Sequence, residues 1–153
     1  MRQLVSVRPL EPGDYDAWRP LWDGYNSFYG RSGETALPEA ITRLLWARLF
    51  DPAEPVHALV AELDGRLVGL VHYLFHRATT MDGPICYLND LFTSTEARGA
   101  GVGKALIEAV YEAARAAGST RVYWQTHETN RTAMRLYDQV AAKSGFIVYR
   151  KEL

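Results

Sequence analysis

Apolar and polar residues alternate in part from Leu4 to Leu10, the period-two pattern of a strand with one buried face. Pro12, Gly13 and Asp14 break that pattern and start a helix, with Asp14 placed to act as its N-cap. Tyr15, Trp18, Leu21, Trp22, Tyr25, Phe28 and Tyr29 then recur at helical spacing, and Phe28 is expected to pack in the core. Gly30 to Gly33 is a loop, and Pro38 opens a second helix on which Ile41, Leu44, Leu45 and Leu49 recur at threes and fours. Pro52 and Pro55 end it. Val56 to Leu63 predicts a strand, Asp64-Gly65 a hairpin turn, and Arg66 to His76 the antiparallel return. After a turn at Asp82-Gly83-Pro84 comes another strand, Ile85 to Thr93. Gly101 to Ala117 predicts an amphipathic helix with Val102, Leu106, Ile107, Val110 and Ala114 on one face, stopped by Gly118. Arg121 to Thr126 predicts a strand, Asn130 to Lys143 a helix, and Phe146 to Lys151 a last strand.

The order β, α, α, β, β, β, α, β, α, β joins hairpins to a βαβ unit, which implies an α/β fold with a mixed sheet covered by helices. The 153 residues suit one domain, 1–153, without repeats or linkers. With 48% hydrophobic and 23% charged residues the composition is that of a globular protein. The net charge of −1 and the scattered basic residues exclude a general nucleic-acid or anionic-membrane binder. The longest apolar run, around Leu67 to Phe75, is too short to span a bilayer. One cysteine, Cys86, permits no internal disulfide, and the N-terminus lacks the features of a secretory signal, so a cytoplasmic protein is expected. No His, Cys, Asp or Glu spacing suggests a metal site.

Arg98-Gly99-Ala100-Gly101-Val102-Gly103-Lys104 carries the most chemistry. It lies between a strand and an amphipathic helix, where glycines bare the main-chain N–H groups and the helix end adds unpaired donors and a positive dipole. Such a turn can hold a phosphate or pyrophosphate. A P-loop would need glycine where Arg98 stands and a hydroxyl where Ala105 stands; a dinucleotide fingerprint would need glycine at Lys104. What remains is Arg/Gln-x-x-Gly-x-Gly, met by Arg98, Gly101 and Gly103.

Together with two further segments, this turn resembles the GNAT superfamily of acetyltransferases. Tyr87 to Thr93 looks like the family's central strand, Arg98 to Gly103 like its acyl-CoA pyrophosphate turn, and Asn130-Arg131-Thr132-Ala133-Met134-Arg135-Leu136-Tyr137 like its Asn-x-x-Ala-x-x-Leu-Tyr helix. The likeness is nearest to the polyamine and histone/small-amine branch, including the spermidine/spermine N-acetyltransferases. It implies the GNAT fold, with a splay between Tyr87–Thr93 and Arg121–Thr126. Acetyl-CoA would lie there, its pantetheine arm along Leu91, Phe92 and Thr93 and its pyrophosphate on the N–H groups from Gly99 through Ala100, Gly101, Val102 and Gly103 to Lys104. Asn130 and Ala133 would contact the cofactor, and Tyr137 would reach the thioester sulfur. The implied reaction is direct acetyl transfer to a primary amine in a ternary complex, on a polyamine, amino acid or other small amine. Alternatives are a protein lysine or N-terminal acetyltransferase and a non-catalytic acyl-CoA-binding module.

An alkylammonium has no lone pair, so the site must take a proton from it and then stabilise an oxyanion. The polyamine branch often has Glu where this chain has Asn89, and an amide cannot accept that proton. Asp90 is adjacent, but strand parity puts the two on opposite faces unless a bulge intervenes. Tyr25 and Tyr29 are candidates to line an amine pocket through cation–π attraction, with Glu34 adding charge and His127 a further candidate. His72 is expected to be a hydrogen-bonded filler and Cys86 a small buried residue. The chain from Asp138 to Ser144 is longer than the usual family version, and a terminal strand left as an edge implies a homodimer.

Overall fold

The computed structural model describes residues 4–153; residues 1–3, which the expected single domain includes, lie outside the described part. Five strands form one sheet in the order β1 (Ser6–Pro9), β2 (Val56–Leu63), β3 (Arg66–His76), β4 (Ile85–Thr93), β5 (Val122–Tyr123). The first four are antiparallel neighbours. β5 returns parallel to β4 after α3 (Val102–Ala116), because a parallel return needs a crossover. Two helices precede the hairpin, α1 (Tyr15–Phe28) and α2 (Glu39–Leu49), and α4 (Arg131–Val140) follows β5.

Strand alternation splits the core in two. Leu59, Ala61, Val71 and Leu88 point to one face and meet Val102, Leu106, Ile107, Val110 and Ala114 of α3. Val60 and Leu70 point to the other and meet Trp18, Leu21, Trp22 and Tyr25 of α1. Trp18 is fully buried. It anchors a ladder of rings, with Trp18–Trp22 centroids 5.8 Å apart and Trp22–Tyr25 5.5 Å apart, both stacked.

The structure corrects several expectations. β1 and β5 are shorter than their patterns, since only part of each finds a partner strand. Asp14 stands at the N-cap position of α1 as expected but makes no side-chain cap bond there: its carboxylate takes two hydrogen bonds from Arg8, at 2.8 and 2.9 Å, and one from the Glu11 N–H. Phe28 is exposed, because the sheet-facing side of α1 is already filled by Trp18, Trp22 and Tyr25. On α2, Ile41 and Leu44 are exposed; the inward face is Thr42, Leu45, Trp46 and Leu49, with the Thr42 hydroxyl accepting from Trp22 Nε1 at 3.1 Å. α4 stops at Val140, where Ala141 turns extended and the Tyr111 hydroxyl donates to the Val140 carbonyl at 2.8 Å. The expected last strand does not form. Residues 141–153 contain no helix or strand, and Phe146 and Tyr149 are 90% and 91% exposed, because the chain leaves α4 outward and meets no ladder to join.

Candidate active site

The site forms where β4 changes parity. Cys86 and Leu88 face α3, and unbroken alternation would send Asp90 there too. Instead His72 pairs with Asp90 while Tyr73 pairs with Leu88, so Asn89 is an extra residue with no counterpart. The bulge turns Asp90 towards α1, and Leu91 resumes packing on the α3 side. It also brings the two neighbouring side chains together: Asn89 Nδ2 donates to Asp90 Oδ1 at 2.8 Å.

Asp90 is only 8% exposed and is held by donors from three elements. Trp18 Nε1 donates to His72 Nε2 at 3.2 Å. An indole N–H can only donate, so His72 Nε2 carries a lone pair and the ring proton sits on Nδ1. That Nδ1–H donates to Asp90 Oδ2 at 2.9 Å. His72 is thus the hydrogen-bonded filler expected, and in addition it orients the carboxylate. Burial is the largest influence on the Asp90 carboxyl and pushes its pKa up; the hydrogen bond and electrostatic attraction of His72, with hydrogen bonds from Tyr25 and Asn89, together outweigh it and hold the group below the usual carboxylate range. Asp90 is therefore a fixed negative charge at neutral pH. Because Asn89 turns its amide N–H₂ to that charge, its own carbonyl oxygen is left as an outward acceptor.

Three tyrosines lie in reach of this charge, and a fourth, Tyr137, lies beside Tyr29. Tyr25 and Tyr29 sit on α1 and just after it, centroids 5.0 Å apart. Burial, then the Asp90 charge, raises the pKa of both phenols. Tyr87 on β4 is raised by burial and by its neighbours Tyr123, Asp90 and Tyr29, with 4.8 Å between the Tyr87 and Tyr123 rings. Tyr137 on α4 is pushed up to about 12, first by burial and then by Tyr29. Its ring packs edge-on against Trp124 at 5.4 Å. Tyr25, Tyr29, Asn89, Asp90 and Tyr137 are thus brought to one place. Two expected members are not. Glu34 is exposed on the short turn Gly33–Thr35, and His127 is exposed with Nδ1 tied to the Thr129 hydroxyl at 2.7 Å. Tyr87 lies in this cluster and was not expected there, and His72 was expected only as a filler, because only the folded register of β3 and β4 puts them beside Asp90.

The residues expected to hold the cofactor lie alongside. β4 and β5 pair only at Cys86–Val122 and Tyr87–Tyr123, then diverge, so the β4 edge from Leu88 through Leu91, Phe92 and Thr93 has no strand beside it. Beyond that open edge comes the glycine turn. Gly99 and Gly101 are left-handed, φ +86° and +81°, a conformation that favours glycine, and nothing crowds either Cα. Gly103 serves a different need, since a Cβ there would meet Leu136 Cδ2 at 3.1 Å where α4 lies on α3. The N–H groups of Val102, Gly103 and Lys104 find no partner among the described residues, as expected for the first turn of α3. Arg98 and Lys104 are exposed on either side, Ala133 is partly buried on α4, and Asn130 precedes that helix with Nδ2 on the Thr126 hydroxyl at 3.3 Å. Unpaired donors, an open strand edge and flanking cations fit a pantetheine arm ending in a pyrophosphate. Among the described residues no cluster of His, Cys, Asp and Glu suits a metal ion, and no helix is long and apolar enough to cross a membrane.

Residues 18–141 match the Acetyltransferase (GNAT) family. The chain belongs to that family. It is an N-acetyltransferase that uses acetyl-CoA, with the mixed sheet and flanking helices of that fold. It is 34% identical, over 96% of its length and 90% of the relative's, to the D-amino-acid N-acetyltransferase HPA3 of Saccharomyces cerevisiae. It is 29% identical to the uncharacterized N-acetyltransferase YhfO of Bacillus subtilis, over 95% of each chain. Among solved structures it resembles the aminoglycoside acetyltransferase AAC(6')-Iy in complex with a CoA bisubstrate analog, with a TM-score of 0.81 at 16% identity over 98% of this chain and 99% of that one.

Proposed function

We propose that the acceptor is the primary amine of a small molecule and that it attacks the thioester directly in a ternary complex. The observation that carries this reading is the ionised Asp90 carboxylate behind the outward Asn89 carbonyl, at the point where β4 and β5 separate. Acetyl-CoA supplies an activated acyl carbon. The residues of this chain do the rest. The Asn89 carbonyl accepts from the ammonium, the Asp90 charge draws it in, and Tyr25 and Tyr29 form an aromatic floor suited to a cation. A carboxyl held below its usual range is a weak base, so the amine's proton leaves to water, with Asp90 stabilising the cation until it goes. Tyr137 donates to the departing sulfur.

The test is thiol release from acetyl-CoA with a panel of small amines and lysine peptides. Release with small amines and none with peptides supports the reading. Peptides as the better acceptors would replace it with a protein acetyltransferase. Calorimetric CoA binding without release for any amine would replace it with a non-catalytic binding module.

The exposed tail bears on assembly, and the reading we favour is a homodimer in which each tail adds a strand to its partner. Phe146, Ile147, Val148 and Tyr149 are all exposed, forgoing burial worth about 1.5–3 kcal/mol for a fully buried large side chain. The outer edge of β5 is free, and a free edge invites a strand. Light scattering at micromolar concentration should give twice the 17.2 kDa chain mass, falling to that mass in Ile147→Lys/Val148→Lys. A monomeric wild type would overturn this assembly.

A further inference from the structure

Arg31 stands in the turn after α1, its N–H on the Asn26 carbonyl at 2.9 Å. Its side chain does not wander. Nε donates to Asn26 Oδ1 at 2.7 Å, and Asn26 is itself buried, 5% exposed, with Nδ2 on the Trp22 carbonyl at 2.9 Å. That clamp lays the guanidinium carbon 5.8 Å from the Tyr25 ring centre and 5.6 Å from that of Tyr29. Arg31 pairs with no carboxylate among the described residues, so both terminal nitrogens keep their donors free. The negative charge of Asp90 lies at the same two tyrosines. It is held back by His72 and Asn89 as Arg31 is held by Asn26, and the two do not meet. The floor therefore carries an anion and a clamped cation, each fixed by its own polar partners, His72 and Asn89 for the one and Asn26 for the other.

We infer that Arg31 reads a carboxylate on the acceptor, so that the substrate is an amino acid whose ammonium lies at Asn89–Asp90 and whose carboxylate lies on the Arg31 guanidinium. This rests on the small-amine reading above and narrows it. A guanidinium suits the task because its planar fork can donate two parallel hydrogen bonds to a carboxylate. A polyamine would instead bring a second cation towards Arg31, an unfavourable approach on a partly enclosed surface. In the reaction the amine nitrogen bonds to the acyl carbon and the carbon–sulfur bond breaks. The ammonium nitrogen loses two protons, one before attack and one as the amide forms, and the sulfur takes one up, so that one proton is released to water, giving an N-acetyl amino acid and the free thiol of CoA. The carboxylate is unchanged and serves only to hold the substrate.

The experiment compares kcat/KM for phenylalanine, as each enantiomer, with that for phenylalanine amide, phenethylamine and spermidine, in the wild type and in Arg31→Gln and Arg31→Lys. One phenylalanine enantiomer should exceed the amide by roughly 10–100-fold, the range expected when a charged hydrogen-bonding partner is lost. Arg31→Gln should erase that preference through KM and leave the amide and phenethylamine within about threefold of wild type, while Arg31→Lys restores part of it. CoA affinity should be unchanged in both variants, and melting should fall only slightly, by the loss of the Nε bond to Asn26 Oδ1. A wild type that prefers phenethylamine or spermidine overturns the inference and leaves small-amine acetylation standing. So does an equal loss on all substrates in Arg31→Gln, which marks a structural role. No thiol release with any amine overturns the small-amine reading and this inference with it.

Discussion

Replacing Asp90 with alanine should lower kcat/KM by at least roughly 100-fold and cost about 2–4 kcal/mol of stability, because in the proposed reaction one carboxylate serves as charge for the substrate and acceptor for the core. Three donors converge on it, the His72 Nδ1–H at 2.9 Å, the Asn89 amide at 2.8 Å and the Tyr25 phenol. Alanine leaves them unsatisfied, and His72, 1% exposed, has no water to turn to. Asp90→Asn separates the two roles. It keeps an acceptor for His72 but loses the charge, and its amide hydrogens face the remaining donors. Its stability should fall less than that of the alanine variant while its activity falls nearly as far. Urea unfolding read beside initial rates measures both. Wild-type turnover in Asp90→Asn would remove the charge from the proposed function.

The pH dependence follows from the same carboxylate. Its folded pKa is lowered below the reference 3.8, so its stabilising contribution is fully present above that value and is lost as pH falls through the folded pKa. Asp90→Asn should lack that acid-side loss, and its stability gap from wild type should stay constant through neutral pH. Asp90 does not titrate between neutral and mildly alkaline pH. The rise of kcat/KM with pH should therefore follow deprotonation of the amine in both proteins, measured as parallel limbs displaced in height.

The parts of the molecule written in local pattern were legible before the fold. The hairpin at Asp64-Gly65, the amphipathic α3 and the glycine turn depend on residues close in sequence, and each stands where its pattern put it. The bulge is different. Asn89-Asp90 has no glycine or proline to announce an extra residue, and parity could be read either way until the pairing of β3 with β4 chose one. His72 and Asp90 lie 18 residues apart, and their contact depends on that register. Arg31 reads as one more polar loop residue until the turn after α1 folds it back over two rings. The tail fails for the opposite reason. Phe146 to Lys151 has strand composition, but a strand needs a ladder, and the tail pairs with none of the five strands.

Tyr137→Phe should lower kcat at least roughly tenfold, about 1.4 kcal/mol of barrier, with CoA affinity nearly unchanged. The phenol is pushed up to about 12, chiefly by burial. Set against a thiol near ~8.5, complete proton transfer from this phenol to the leaving thiolate runs uphill by about 5 kcal/mol. In the proposed reaction Tyr137 therefore acts on the sulfur as a hydrogen-bond donor that keeps its proton, and the thiol is finally protonated from water. Burial that weakens the phenol as an acid also excludes competing water, which strengthens the hydrogen bond it can give to a developing anion. Phenylalanine keeps the ring against Trp124 and the packing of α4 on α3, so melting temperature should hold while turnover drops. A solvent-exchangeable step at sulfur should then become slower relative to amine attack, raising the solvent isotope effect on kcat. Unchanged turnover and isotope effect would place Tyr137 among the residues that only shape the cleft.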